Sequence, residues 1–387
     1  MRFYDIIKDI DIGYYKILSM IFKSITAYSF TLPFRTPVTL SGVVHTYRKG
    51  LLLAMETERG QTVWTEASPL PGFSIESMDK AAEEARNMAV YLGKISRQHS
   101  LSSFLLPQCV SPAVHFAYWS ALQTLSAGEQ GLSLHRYLNP GAVDRLPLCV
   151  LIDGSLEGKR AQIRQAVQRG YGTVKLKVGR SDMEEDIMLV HEILREWGSE
   201  ISLRLDANRA WNKVEAFQFC RSVPVDRICF LEEPTRDFRD LPHIQEHSGM
   251  ACAADETLQT LSRHVAQPCS VETLGEKDDL LAVAEQARFM VWKPSLCLPV
   301  AMMGIQSRAP IILSAAYESG VGTSLILAYA SALSGNDCAP GVDTYTRLAL
   351  DVLESPLPLD KPEADLVHCE GLCASVNPSQ IQVLWHV

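Results

Sequence analysis

The chain has 387 residues, of which 47% are apolar and 21% charged. These are ordinary globular values with ample length for a core, so a disordered protein, a collagen-like chain and a coiled coil are excluded; at about 150 residues per domain they suggest two to three domains, or a barrel with a smaller partner. Lys and Arg number 36 against 45 Asp and Glu, a net charge of −9. That balance disfavours nucleic acid as a partner and favours a small metabolite.

The apolar stretch from Ile10 to Phe22 is interrupted by Asp11 and Lys16. It is shorter than the roughly 20 residues of a membrane span, and it fits a signal peptide poorly. Residues 1–25 therefore read as an extra helix or loose leader, with Met20 as an alternative start. The ten cysteines are spread singly with no CxxC, and Cys369 and Cys373 are the only close pair. That usage predicts reduced thiols in a cytoplasmic chain; with no span visible in the sequence, no membrane partner is expected.

From Thr26 the pattern is strand, turn, strand. Ala27 to Phe30 leads into the Pro-containing stretch Leu32 to Pro37, and the polar segment Thr39 to Lys49 reads as a loop. Leu51 to Thr57 and Thr62 to Ala67 read as strands joined by a hairpin turn. Ser68 to Ser74, with its prolines and glycine, is irregular. Helices are predicted over 76–95 and 111–126, the second opened by Ser111-Pro112. Residues 26–145 thus form a small α+β domain.

A different rhythm begins at Leu146. Apolar strands are predicted at 146–152, 173–179, 202–208, 228–234, 251–255, 289–294, 310–315 and 338–342. Helical stretches at 158–169, 183–197, 212–221, 279–287 and 321–334 fall between them. Eight β units with helices between them predict a parallel barrel of the TIM type over 146–350. No GxGxxG opens a helix, which disfavours an open doubly wound sheet. The tail, 351–387, has no barrel unit left to form and should return to the first domain.

Active sites of such barrels lie at the C-terminal strand ends. There the chain carries Lys175 and Lys177, then Arg204, Asp206 and Asn208, then Glu232-Glu233-Pro234 and Asp255-Glu256. Lys293-Pro294, Ser314 with Tyr317 to Gly320, and Gly341 to Asp343 follow. Each motif alone is bland: KxK reads as a solvated strand edge, DxN as a turn, EEP as a strand end. Their order on consecutive strands carries the argument. Three successive strands end in carboxylates, which repel unless a cation sits among them. Oxygen donors without histidine favour Mg²⁺, with Mn²⁺ as an alternative, over zinc. Lys177 and Lys293 flank the arc, and a lysine near a cation can act as a base. Metal plus lysine suits proton removal next to a carboxylate, because the cation takes up the enediolate charge. A competing HxxEH pattern, His243, Glu246 and His247, falls on a predicted surface helix between strands four and five.

In the order KxK, RLDAN, EEP, DE, KP and a Ser-containing strand, the chain resembles the enolase superfamily. It is most similar to the o-succinylbenzoate synthase (MenC) branch. Glu66 to Ser74, Val174 to Gly179, Leu203 to Trp211 and Phe230 to Pro234 carry that likeness, which spans about residues 27–350. The resemblance implies a (β/α)₇β TIM-type barrel with an α+β N-terminal capping domain completed by the C-terminal tail. It implies Asp206, Glu232 and Asp255 as metal ligands, with Glu233 and Glu256 pointing away. Lys177 would be the base, returning the proton to the leaving hydroxyl in a syn dehydration. Lys293 would stabilise the enediolate from the opposite face by a cation–π contact. Lys175 and Arg204 would tune the site. Asn208 and Gly341 would support the substrate, and Ser314, with the Gly320–Gly322 turn opening the next helix, would face its succinyl carboxylate. Segments 39–49 and 68–74 would close over it.

The implied reaction is dehydration of 2-succinyl-6-hydroxy-2,4-cyclohexadiene-1-carboxylate to o-succinylbenzoate in menaquinone biosynthesis. N-acylamino acid racemase, dipeptide epimerase and muconate cycloisomerase share the same catalytic set; a non-catalytic anion-binding barrel is the rival of another class. Asp343 stands without the second acid of a DxD, which leans away from a dipeptide substrate. Asp255 to Lys293 spans 38 residues, longer than expected by about a dozen, with a polar extra segment near 267–279.

Overall fold

The computed structural model describes residues 21–98, 111–180, 182–266, 271–299, 305, 307–334 and 338–387. Residues 1–20 of the expected leader, Met20 included, and 267–270 of the extra segment lie outside them.

Strands β1 (Phe22–Leu40), β2 (Val43–Thr57) and β3 (Thr62–Ala67) form an antiparallel meander. Phe22 to Ile25, expected in the leader, already belong to β1. The expected loop over 39–49 is instead the tip of a β1–β2 ribbon. Ser41 (φ 47°) and Gly42 (φ 80°) are both left-handed, which is the backbone a two-residue hairpin needs to match strand twist. Register slips between Pro33 and Val38, where Pro33 and Pro37 break the ladder. Helices α1 (Met78–Gln98) and α2 (Pro112–Glu129) cover the meander, followed by the short α3 (Leu134–Leu138).

After β4 (Arg145–Pro147) the barrel runs β5 (Cys149–Ile152), α4 (Leu156–Gln168), β6 (Thr173–Lys177), α5 (Met183–Trp197), β7 (Ser202–Asp206) and α6 (Lys213–Ser222). It continues with β8 (Phe230–Glu232), α7 (Asp240–Ser248), β9 (Cys252–Ala254), α8 (Glu256–Ala266) and α9 (Val271–Gln286). β10 (Phe289–Trp292), β11 (Ile311–Leu313) and α10 (Gly320–Ser334) follow. The seven strands β5 to β11 are parallel and neighbours in chain order. The expected eighth strand, 338–342, is reduced to one bridge, Ser314 with Gly341. It still closes the ring: Gly341 N donates to Leu313 O, and Cys149 N to Pro340 O. Pro340 has no N–H to extend the ladder. The long Asp255–Lys293 connection holds two helices, α8 and α9, where one was expected.

Phe230, Ala253, Val291, Ile312 and Cys338 form one apolar cluster. Two residues further along four of those strands stand Glu232, Asp255, Lys293 and Ser314, the same-face positions at period two. The α7 motif is a surface feature, as expected: Glu246 is 78% exposed, and the His243 ring packs on Phe217.

The two halves are joined by stacking. Trp119 of α2 lies parallel to Tyr329 of α10, with ring centroids 4.6 Å apart, and the Tyr329 hydroxyl donates to Gln123. The tail comprises β12 (Glu363–Asp365), paired antiparallel with β4, then α11 (Leu366–Leu372) and β13 (Ile381–His386). β13 adds to β1 as an antiparallel edge.

Candidate active site

Register sets the level of each side chain. Lys177, Asp206 and Glu232 are Cα partners across β6, β7 and β8, and Lys175 and Arg204 pair one layer below. Asp206, Glu232 and Asp255 are at most 1% exposed. Burial alone would drive such carboxyls to their neutral form, so each needs a positive partner.

Lysines supply it. Lys175 Nζ lies 2.7 Å from both Asp206 and Glu232. Lys177 Nζ donates to Asp206 at 2.6 Å and also to the Asn208 side chain. Lys293 donates to Asp255, whose other oxygen accepts from Gln259. Burial works against the charged form of Lys175, yet Asp206 and Glu232 raise its pKa. Lys293 is likewise raised, by Asp255 against burial. Asp206 and Asp255 are held low despite burial, the first by Lys175 and Lys177, the second by Lys293. Glu232 is pushed well up by burial and by Asp206.

The arc suits a hard dication in donor type: three buried carboxylates, no histidine or cysteine. Glu232 Oε2 has no hydrogen-bond donor of proper geometry. The acids are bridged by ammonium groups, and among the described residues no three His, Cys, Asp or Glu converge to hold an ion as they stand. Binding one therefore requires the lysine amines to draw back from Asp206 and Glu232.

Above the arc is a cavity of about 580 Å³, within the range of small-molecule sites. Its floor carries Lys175, Lys177, Lys293 and Asn208; Ser314, Gly341 and Asp343 line one side. Thr39 to Ser41 of the ribbon tip, with Leu70 and Phe73, form the roof. Leu40, Leu70, Leu296 and Ala316 pack together there against Phe73 and Tyr317.

Three expectations need correction. Glu256 faces the cavity, where its carboxylate accepts from Asn208 Nδ2 at 3.2 Å. It is the first residue of α8, so strand alternation no longer governs it. Burial, then Asp255 and Glu233, push its carboxyl up to about 7. Glu233 does point away: it accepts from the N–H groups of Asp255 and Thr257 and from Arg209. Arg204 lies beneath the arc, donating to Ala339 O and stacking on Phe230, and forms no ion pair with the acids among the described residues. It braces β7 against the closing segment.

The third concerns the start of α10, which is not free to take an anion. Gly320 N donates to Asp351 and Gly322 N to Glu66. A Cβ at Gly322 would lie 2.7 Å from the Glu318 Cβ and 2.8 Å from Glu66 Oε2, so glycine is required there by close approach.

Sequence reasoning missed the buried group that does this capping. Glu66 of β3 also accepts from Ser68 and from the Ser319 N–H and hydroxyl. Burial, then neighbouring Glu318, raise its carboxyl to about 7 from 4.5, against those donors. The folded protein therefore holds this proton between pH 4.5 and 7 where the unfolded chain does not. The resulting stabilisation, about 3 kcal/mol, is complete below pH 4.5 and is lost as pH rises through 7. Glu66→Gln is expected to remove this component from the difference in urea-unfolding free energy between pH 5 and pH 8. An unchanged pH dependence would refute the assignment. The signal was present in the sequence as an acid just before the SPLPGFS stretch, with its partner acid Glu318 some 250 residues away (252 by numbering).

Lys159 and Asp186, both 1% exposed, form a second buried pair. Asp186 also accepts from Gly179 N, which anchors the turn following Lys177.

Comparison with known proteins agrees with this architecture. Residues 159–267 match the model described as enolase C-terminal domain-like, and residues 22–125 match the MenC N-terminal domain. A dipeptide epimerase from Enterococcus faecalis, solved with Mg and L-Leu-L-Tyr, superposes with a TM-score of 0.72 at 18% identity, covering 94% of this chain and all of that one. The chain belongs to the enolase superfamily and is built as its enzymes are. Within the superfamily it belongs to the MenC branch. The o-succinylbenzoate synthase of Vibrio cholerae is 29% identical over 340 residues, 86% of this chain and 92% of that protein. That of Pectobacterium atrosepticum is 28% identical over 348 residues, 87% and 96% of the two chains. No helix among the described residues is long and apolar enough to cross a membrane.

Proposed function

We propose that the protein is an o-succinylbenzoate synthase, removing water from 2-succinyl-6-hydroxy-2,4-cyclohexadiene-1-carboxylate with a divalent cation, Mg²⁺ by preference. The observation that carries this reading is the placement of Lys177 and Lys293. β6 and β10 are four strands apart in a ring of eight, so the two amines approach a substrate from opposite sides of the cavity floor.

Asp206, Glu232 and Asp255 would hold the cation, which supplies positive charge to the substrate carboxylate as it becomes an enediolate. Lys177 takes the proton from the carbon next to that carboxylate. Lys293 offsets the growing negative charge from the other face. Lys177, now protonated, gives its proton to the hydroxyl on the same face. The C–O bond breaks, water leaves and the ring becomes aromatic. The apolar side chains of Leu40, Leu70 and Phe73 cover part of the cavity above these groups.

The two lysines also support racemisation of an N-acylamino acid, a second reading. Asp343 argues against a dipeptide, because its oxygens already accept from Leu151 N and the Thr346 hydroxyl.

A steady-state assay of o-succinylbenzoate formation, with Mg²⁺ and with EDTA, tests the proposal. Metal-dependent turnover at a kcat/KM of about 10⁴ M⁻¹s⁻¹ or above is expected. A folded, Mg²⁺-binding protein without that turnover would overturn it, and N-acylamino acids would be assayed next.

A further inference from the structure

With the α10 N-terminus occupied by Glu66 and Asp351, a substrate bearing a second carboxylate needs another cation. Two guanidinium groups line the cavity above the lysines, Arg180 and Arg347. Arg180 is already engaged: it donates to both oxygens of Asp153 and is 53% exposed. Arg347 is different. Among the described residues its guanidinium donates no hydrogen bond and forms no ion pair, while its backbone is held firmly.

That backbone belongs to a 3₁₀ turn, Asp343–Arg347. The Tyr345 hydroxyl inside the turn is buried, donating to Asp351 at 2.6 Å and accepting from Leu357 N. Arg35 of β1 donates to Thr346 O, and the next residue, Leu348, bridges to Phe34. A guanidinium without a partner among the described residues, carried on an anchored turn at the wall of a small-molecule cavity, is placed to take an anion: its backbone is already fixed, and its planar fork matches a carboxylate. The Tyr317 phenol, which lines the same cavity, feels both charges: burial raises it, and Arg347 and Arg180 pull it down.

We propose that Arg347 is the specificity-determining residue of this cavity, pairing with the remote carboxylate of a dianionic substrate whose other carboxylate sits at the lysine–acid floor. Arg180, through Asp153, borders the same subsite without being its main cation. This rests on the synthase reading above and extends it by assigning the succinyl end.

The test is calorimetric titration of the Mg²⁺-loaded protein with o-succinylbenzoate and with 2-butanoylbenzoate, which lacks the remote carboxylate. Wild type is expected to bind the dianion about 10- to 100-fold more tightly, the range of a charge-assisted hydrogen bond. Arg347→Gln should close that gap by weakening the dianion alone; Arg347→Lys should restore part of it, and Arg180→Gln should leave most of it. In turnover, Arg347→Gln should raise KM by a similar factor with kcat within a few fold. Equal binding of the two ligands by wild type, or an undiminished gap in Arg347→Gln, overturns the proposal. The wild-type comparison stands even if a variant folds poorly. Wild type that binds neither ligand overturns the synthase reading itself, and this inference with it.

Discussion

Replacing Lys177 by Ala should lower turnover by at least about 10³-fold while leaving the fold intact. A positioned acid or base typically contributes about 10²- to 10⁴-fold, and in the proposed mechanism one amine serves both proton transfers, so the loss belongs at the upper end. The fold should survive because Asp206 keeps Lys175 as a partner at 2.7 Å when Lys177 is removed. Lys177→Arg separates chemistry from charge. Arginine keeps the positive charge beside Asp206 and Asn208 but cannot give up its proton in this pH range. If charge balance were the only role of Lys177, the arginine variant would be active; the base role requires that it be nearly as inactive as alanine. Steady-state rates with thermal melts of all three proteins decide between them.

The second large effect concerns the cation. Mg²⁺ should raise the melting temperature of the wild type, since a ligand at 100 times its Kd adds about 2.7 kcal/mol to folded-state stability. Glu232→Gln should abolish both this shift and the turnover. The physical situation of Glu232 makes the substitution informative. Its carboxyl is fully buried beside Asp206, and both effects disfavour its charge. A neutral amide of the same shape should therefore cost the protein little without metal, and melting in EDTA should be close to wild type. A variant that melts normally but no longer responds to Mg²⁺ identifies Glu232 as a ligand. An unchanged Mg²⁺ response would remove it from the ligand set.

Much of the site was legible in the chain because it depends on local repeats. Alternation along a strand puts Lys175 with Lys177 and Arg204 with Asp206 on one face, and apolar runs mark where each strand ends. The order of the strands in a parallel barrel follows the order of the chain, so the acids at 206, 232 and 255 had to become neighbours. The helix over 183–197 was equally local, an amphipathic stretch started by Asp182, whose side chain accepts from Glu184 N.

Other features could be decided only by tertiary contacts. Gly320 and Gly322 open a helix in sequence terms, yet their N–H groups go to Asp351 and to Glu66 in a strand some 250 residues earlier. Glu256 turned into the cavity because helix α8 begins at that residue, and a boundary of one residue changes the face. The ribbon tip at Ser41-Gly42 became a hairpin because β1 and β2 resume pairing beyond the Pro33–Val38 slip, Val38 with His45 and Leu40 with Val43. Arg347 emerged as a cavity cation because β1 and the chain after it fix the turn that carries it. Periodicity in sequence reports which face of an element a residue occupies. Which groups satisfy that residue's hydrogen bonds and charge depends on distant segments meeting, and no local repeat encodes that.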